Sequence, residues 1–235
     1  MSWASPAFVP ISVLLSYSTL IDEQQYQEPW TTMSEHRLWR ELTLCILSSN
    51  TLFETAASAT KCLEKRGLLR RLRQEPDPRV ARTVYRVLAS PLFLPTCQDG
   101  RLRRYRFPRT KSGQLLGAAR LVYVDPDCDG LRGILSRMTS GEEAREYFRS
   151  HVPGMGMKEA SHFLRNVGFA TDLAIIDVHM KRFLQSIAAI PDEVLTSTRR
   201  RDYLRLEELV RDIAEANDLS LPLLDLAVWE CFRLG

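Results

Sequence analysis

The sequence predicts an all-α protein. Three observations carry this. Apolar residues recur at three- and four-residue spacing in one segment after another from about residue 34 to 232, the repeat of a helix with one buried face. The breaks between those segments hold Gly, Pro, Ser and Asp, the residues of turns and caps. Doubt about strand is confined to residues 8–21, where FVPISVLLSYSTLI fits helix and strand equally.

Taken in order, residues 1–33 carry no functional signal and are expected to pack on the part of the fold that holds the chain ends. Ser34 is an N-cap for a helix reaching about Ser49, with Leu38, Trp39, Leu42, Cys45 and Ile46 on its apolar face. Residues 52–66 and 76–90 read as amphipathic helices, after which Leu92-Phe93-Leu94-Pro95 and Gly100 break the pattern. A helix follows from about Lys111 to Tyr123. Asp125 to Gly130 form a turn-rich loop whose alternating acids lack the Gly and Glu spacing of a calcium loop, so that reading is rejected. Residues 130–138 make a short helix. Helices over 178–190, stopped by Pro191, over 201–216 after a loop through Thr196-Ser197-Thr198, and from Leu221-Pro222 to about Phe232 complete the chain. Asp225 and Trp229 are four apart and share a face of the last helix.

The chain is organised around HVPGMGMKEASHFLRNVGFATDLAIIDVHMKRF, residues 151–183. A helix over 142–150 enters a hairpin, Val152-Pro153-Gly154-Met155-Gly156. A second helix leaves it at Met157 and runs to about Val167, with Gly168 as its stop. Two glycines behind a proline permit a tight turn with positive φ. Successive N–H groups of such a turn, at a helix N-terminus, form a donor cup for a phosphate oxygen. That contact positions a DNA backbone without reading its bases. Lys158 stands beside the cup, and Asp177 follows in Ile175-Ile176-Asp177-Val178-His179-Met180. Singly, the lysine reads as a solvated residue and the aspartate as an N-cap; Asp177 is compatible with capping and chemistry together.

With 235 residues the chain has room for one large domain or two small ones, and its 45% hydrophobic and 26% charged content is that of an ordinary globular protein. The net charge of +3 says little, but residues 65–111 hold fourteen Lys/Arg against three acids, a local +11 that leaves −8 for the remainder. A basic face on a near-neutral protein is expected of one that grips phosphates. The five cysteines, 45, 62, 97, 128 and 231, are scattered without CxxC spacing, so neither a disulfide framework nor a zinc site is expected, and a reducing compartment fits. No apolar run has the ~20 residues of a membrane span, and the first twenty residues lack the basic start of a signal peptide.

The hairpin glycines, Lys158, Asp177 and their flanking words resemble the helix-hairpin-helix DNA glycosylase superfamily. KEASHFLRNVG and LAIID are most similar to its archaeal-type 8-oxoguanine DNA glycosylase/AP lyase family. ELTLCILSSN (41–50), RYRFPRTKSGQLLGAAR (104–120) and Leu224-Asp225-Leu226-Ala227-Val228-Trp229 match that family in order, so the resemblance spans roughly residues 34–233.

The resemblance implies a bifunctional enzyme acting on double-stranded DNA, with Lys158 and Asp177 as the catalytic pair. Lys158 attacks C1′ of a flipped-out nucleotide and passes through a Schiff base, so base release is accompanied by β-elimination at the abasic site. An amine attacks only when unprotonated, which a helix N-terminus and a dry cleft favour. Gly154, Met155 and Gly156 are expected on the DNA backbone. Asn50 matches the residue that enters the duplex, and otherwise reads as a helix C-cap. Phe107 is a wedge or a core residue. Asp225, Trp229 and Arg233 are candidates for the base pocket, although Trp229 also reads as core.

The carbonyls of Ser150, Val152 and Met155 match a Na+ or K+ site; no other cofactor is expected, and with Cys231 alone near the C-terminus no iron–sulfur cluster. Two helical subdomains with a cleft between them are expected, one of residues 48–170 with the hairpin and one of 1–47 plus 171–235, in a monomeric protein of the cytoplasm, nucleoid-associated if prokaryotic. The family's C-terminal lysine has no counterpart in Phe232-Arg233-Leu234-Gly235. That departure keeps a glycosylase for a different modified base as an alternative, and a non-catalytic DNA-binding module is the alternative of another class.

Overall fold

The computed structural model describes residues 29–127, 129–187 and 190–234, the side chains of 233 and 234 excepted. The ambiguity over residues 8–21, and any role for the Arg233 side chain, lie outside the described residues. Within them the chain is all-α. The helices are α1 (Glu35–Ser48), α2 (Phe53–Lys65), α3 (Leu68–Gln74), α4 (Pro78–Ala89), α5 (Pro108–Tyr123), α6 (Gly130–Ser136), α7 (Gly141–His151), α8 (Met157–Asn166), α9 (Val178–Ile187), α10 (Asp192–Thr196), α11 (Arg200–Ala216) and α12 (Leu221–Leu234). One isolated antiparallel bridge, Phe93 to Arg103, is the extended pairing among the described residues. No described helix is long and apolar enough to cross a membrane.

The chain separates into two units after Phe169. Glu28–Phe169 form one, and Ala170–Gly235 belong to the other. In the first, α1 is the central element. Ser34 caps it by accepting from the Arg37 amide at 3.3 Å, and Leu38, Trp39, Leu42, Cys45 and Ile46 are fully buried. The sequence expectation placed residues 34–47 with the chain ends. Contacts place them with the unit that holds the hairpin. The reason lies in polar ties as well as in the apolar stripe. Trp39 Nε1 donates to the Leu69 carbonyl at 3.1 Å, and Glu35 accepts from the Leu131 and Arg132 amides, capping α6. Helix α5 begins three residues earlier than expected because Pro108 serves as its N1 residue.

Two short helices, α3 and α10, stand where no helix was expected. Helix α3 follows Gly67, whose φ of 69° turns the chain and sends Leu68, Leu69 and Leu72 into the core. Two turns are too few to show a period.

In the second unit, Met180, Phe183 and Leu184 of α9 pack with Leu206 and Val210 of α11 and with Leu224, Ala227 and Val228 of α12. Leu173, Ala174, Ile175 and Ile176 run into α9 as a buried extended segment, each at most 3% exposed.

Candidate functional site

Helices α7 and α8 are clamped together by Phe148 on Phe163, with ring centroids 4.9 Å apart, and by buried Arg145, whose guanidinium donates to Ser161 Oγ at 3.4 Å. Between them the Val152 and Met155 side chains are buried, which turns the hairpin backbone outward. The Met155 amide donates to the Val152 carbonyl at 3.2 Å. Gly156 is the N-cap residue of α8, and its amide donates to Glu159 at 3.2 Å. The amides of Met157 and Lys158 open α8 with no acceptor among the described residues. They are the donors that a helix start leaves over, at the positive end of its dipole.

Gly154 has φ +89°, and a Cβ there meets the Gln114 side chain at 2.7 Å; one on Gly117 meets Pro153 at 3.0 Å. Helix α5 is therefore the platform on which the hairpin rests. Gly154→Ala combines left-handed strain of about 1–2 kcal/mol with that overlap. The melting temperature is expected to fall by several degrees and DNA affinity with it. Adding Gln114→Ala recovers the part due to overlap and not the part due to φ. Calorimetry and fluorescence anisotropy measure the two effects.

Lys158 is half-buried on α8. Its charge is felt by three neighbours. Burial pushes the Cys45 thiol far up, leaving it an inert thiol with Lys158 opposing weakly. Burial, then Arg165 and Lys158, hold His162 well below the ordinary imidazole range, so it is neutral; its Nδ1 is buried without a hydrogen-bond partner.

The third neighbour, Lys111 of α5, escaped the reading of the sequence. It is 4% exposed, and burial first, then Lys158, lower its pKa against the pull of Glu159. Nothing in the sequence separates this lysine from its exposed basic neighbours. Because its folded-state pKa lies below its unfolded value, protonation at neutral pH costs native stability. That cost disappears as pH rises through the folded value toward 10.5. Lys111→Met is therefore expected to melt higher than the parent at neutral pH, by about 2–4 °C per kcal/mol recovered. The advantage shrinks as pH is raised, as thermal unfolding of the pair at both pH values will show.

Asn50 is exposed, with φ 56°, one residue past Ser49, the C-cap of α1. This is the left-handed geometry of a helix stop. Tyr105, held up at about 12 by burial, hydrogen-bonds through its hydroxyl to the Leu47 carbonyl and anchors that corner. Phe107 is 36% exposed, which excludes the core reading.

Asp177 belongs to the other unit. Its Oδ1 accepts from the His179 amide at 2.8 Å and the Met180 amide at 2.9 Å, so it is the N-cap of α9; its Oδ2 takes no bond from a described residue. The segment that delivers it is pinned by α11. Tyr203 donates to the Ala174 carbonyl at 2.9 Å and accepts from the Ile176 amide, and buried Glu207 accepts from the Ala174 amide at 2.9 Å. Neither residue stands out in the sequence, being thirty positions downstream on an ordinary amphipathic helix. Lys181, one turn beyond Asp177, is lowered by burial with Asp177 opposing. Asp225 and Trp229 lie half-buried on α12, and both are engaged. His179 lies 6.2 Å from Phe232, ring to ring.

Comparison with known proteins adds a second line. Residues 98–219 match the Ogg helix-hairpin-helix model, described as 8-oxoguanine DNA glycosylase. The chain is 33% identical over 200 residues to the 8-oxoguanine DNA glycosylase/AP lyase of Saccharolobus islandicus, covering 84% of this chain and 83% of that protein. It is 38% identical over 125 residues to the protein of the same name from Methanocaldococcus jannaschii, covering 53% and 56% of the two chains. Among solved structures it is similar to the Methanocaldococcus jannaschii 8-oxoguanine glycosylase/lyase in complex with a 15mer DNA containing 8-oxoguanine. That similarity has a TM-score of 0.70 and 26% identity over 96% of this chain and 91% of that one. The 8-oxoguanine DNA glycosylase of Thermotoga maritima shares the fold, with a TM-score of 0.69 and 24% identity over 93% of this chain and 95% of that one.

Proposed function

Because the chain belongs to the 8-oxoguanine DNA glycosylase family with the Ogg helix-hairpin-helix, we infer that it excises 8-oxoguanine from duplex DNA and then cleaves the strand at the abasic site. The observation that carries the reading is the hairpin of Val152 to Gly156. It turns backbone outward, opens α8 with unused amides and sets Lys158 second in that helix. A phosphate oxygen seated on the Met157 and Lys158 amides fixes the strand beside the amine.

The duplex is searched by backbone contact, and the target nucleotide is rotated out of the stack. Asn50 enters the space it leaves, with Phe107 beside it as a wedge. The Lys158 amine attacks C1′. The bond from C1′ to the base nitrogen breaks, its electron pair leaves with the base, and the base takes up a proton. Opening of the sugar ring turns the adduct into an iminium. The iminium acidifies the 2′ carbon. Loss of its proton expels the 3′ phosphate, and water then frees the lysine. Asp177, at the start of α9, stabilises the positive charge growing on the sugar and relays the proton. Asp225 and Trp229 of α12 contact the rotated-out base.

The Ser150 and Met155 carbonyls accept no bond from a described residue and the Val152 carbonyl accepts one, so lone pairs remain for a cation. A Na+ or K+ held there supplies charge to the bound phosphate. The protein acts as a monomer, needs no other cofactor, and works where DNA is found, which is the cytoplasm and nucleoid if its source is prokaryotic.

The test is duplex cleavage, with 8-oxoguanine opposite each base, other lesions and an abasic site, each with and without borohydride. Release of 8-oxoguanine with a covalent adduct supports the reading. Adducts at abasic sites with no release of 8-oxoguanine transfer the mechanism to another modified base. DNA binding without any adduct leaves a non-catalytic module.

A further inference from the structure

We infer that the duplex held at the hairpin continues over the outer faces of α5 and α4, where an arginine ridge of Arg82, Arg86, Arg106 and Arg109 takes phosphates several base pairs from the damaged nucleotide. The inference rests on the glycosylase reading and gives it a footprint.

Helix α5 connects the two places. On one flank its Gln114 and Gly117 lie against Gly154 and Pro153 of the hairpin. On the other it packs along α4 in antiparallel sense. The Arg109 guanidinium lies 5.7 Å over the Tyr85 ring near one end, and Arg120 Nε donates to the Pro76 carbonyl at 3.1 Å near the other. Between these flanks α5 turns Arg109, Gly113 and Arg120 to solvent. Helix α4 continues the surface with exposed Arg79, Arg82 and Arg86, three and four residues apart, opposite buried Val80, Val84 and Val87. Residues three and four apart share one face.

A stripe of arginines is most often a solvated surface with acids among them. This one is different. Arg40, Arg101, Arg149 and Arg201 each pair with a carboxylate. Arg82, Arg86, Arg106 and Arg109 have no ion pair with a described residue. The nearby acids, Glu75 and Asp77, stand before the start of α4, away from the Arg86 end. Arg106 lies 4.9 Å over the Phe107 ring, a second guanidinium on an aromatic face beside that of Arg109 on Tyr85. An aromatic face restrains a guanidinium without neutralising it. Unpaired guanidiniums on one exposed surface, two of them so restrained, suit a row of phosphates. Neighbouring helix axes lie about 8–10 Å apart. One such step to α5 and two to α4, at about 3.4 Å per base pair, put the ridge some three to six base pairs from the hairpin phosphate.

The test uses the Lys158→Gln protein, which leaves its duplex uncut, and a 25-base-pair duplex with a central 8-oxoguanine. Adding Arg82→Gln, Arg86→Gln and Arg109→Gln is expected to make the slope of log K against log salt shallower by about two to three, at about 0.9 per phosphate. Ethylation interference with the arginines intact is expected to mark phosphates about three to six nucleotides to one side of the lesion. The second measurement stands whether or not the triple variant folds. An unchanged slope in a folded triple variant, or interference confined to the lesion, overturns the ridge. Failure of the parent protein, with Lys158 intact, to bind any duplex overturns the DNA reading itself.

Discussion

Replacing Lys158 with glutamine is expected to give a protein that still binds a duplex containing 8-oxoguanine and no longer processes it. Base release under single-turnover conditions falls by at least about 10³-fold, and the borohydride adduct disappears from 8-oxoguanine and abasic substrates alike. The two losses have one cause, because the same nitrogen makes the bond to C1′ and carries the iminium that borohydride reduces. Binding survives because the hairpin holds phosphate through backbone amides. Glutamine at the second position of α8 keeps the Met157 and Lys158-site amides, the Gly156 amide on Glu159 and the Phe148–Phe163 clamp.

The outcome separates three readings. A variant that releases base normally but forms no adduct assigns Lys158 to the lyase step alone, with water as the nucleophile for base release. A variant that still forms the adduct assigns the Schiff base to another amine. Lys181, one turn past Asp177, and Lys111, buried beside Lys158, are the first to change next. A variant that loses DNA binding as well makes the Lys158 side chain a phosphate ligand.

The legibility of this chain follows the physics of each signal. Helices of three turns or more announced themselves through one buried stripe, and two of their caps, Ser34 and Asp177, through residue type. Helices α3 and α10, of seven and five residues, have too little period to register. The hairpin was legible because a turn with φ near +89° at Gly154 leaves few residues a choice. What stayed hidden were contacts made far along the chain. Lys111 reads as one cation among many until α5 is seen to carry it into the core. Tyr203 and Glu207 read as amphipathic filler until α11 is laid against residues 174–176. The membership of α1 was also hidden, because an apolar stripe shows that a helix is buried and not against what.

Asp177→Asn is the second large effect, and it is informative because capping and chemistry can be separated at this residue. The Oδ1 atom accepts from the His179 and Met180 amides, and an asparagine carbonyl does the same work at nearly the same strength. The melting temperature of Asp177→Asn is therefore expected to stay within about a degree or two of the parent. Excision falls by about 10²–10⁴-fold, since an amide supplies neither the negative charge nor the proton acceptor. Asp177→Ala loses both functions. Its excision falls as far, and it also gives up about 1 kcal/mol of cap, seen as a drop of about 2–4 °C. The two variants together decide the role. A melting loss in the alanine variant alone, with near-normal excision in both, makes Asp177 a cap and nothing more. Normal melting with lost excision in the asparagine variant makes it a catalytic group that caps its own helix. The pinning of residues 174–176 supplies a further check on that conclusion. Tyr203→Phe removes the hydroxyl that bridges the Ala174 carbonyl and the Ile176 amide, while Asp177 itself remains intact. If the carboxylate must be held in place to act, Tyr203→Phe lowers the excision rate and leaves the affinity for duplex DNA unchanged.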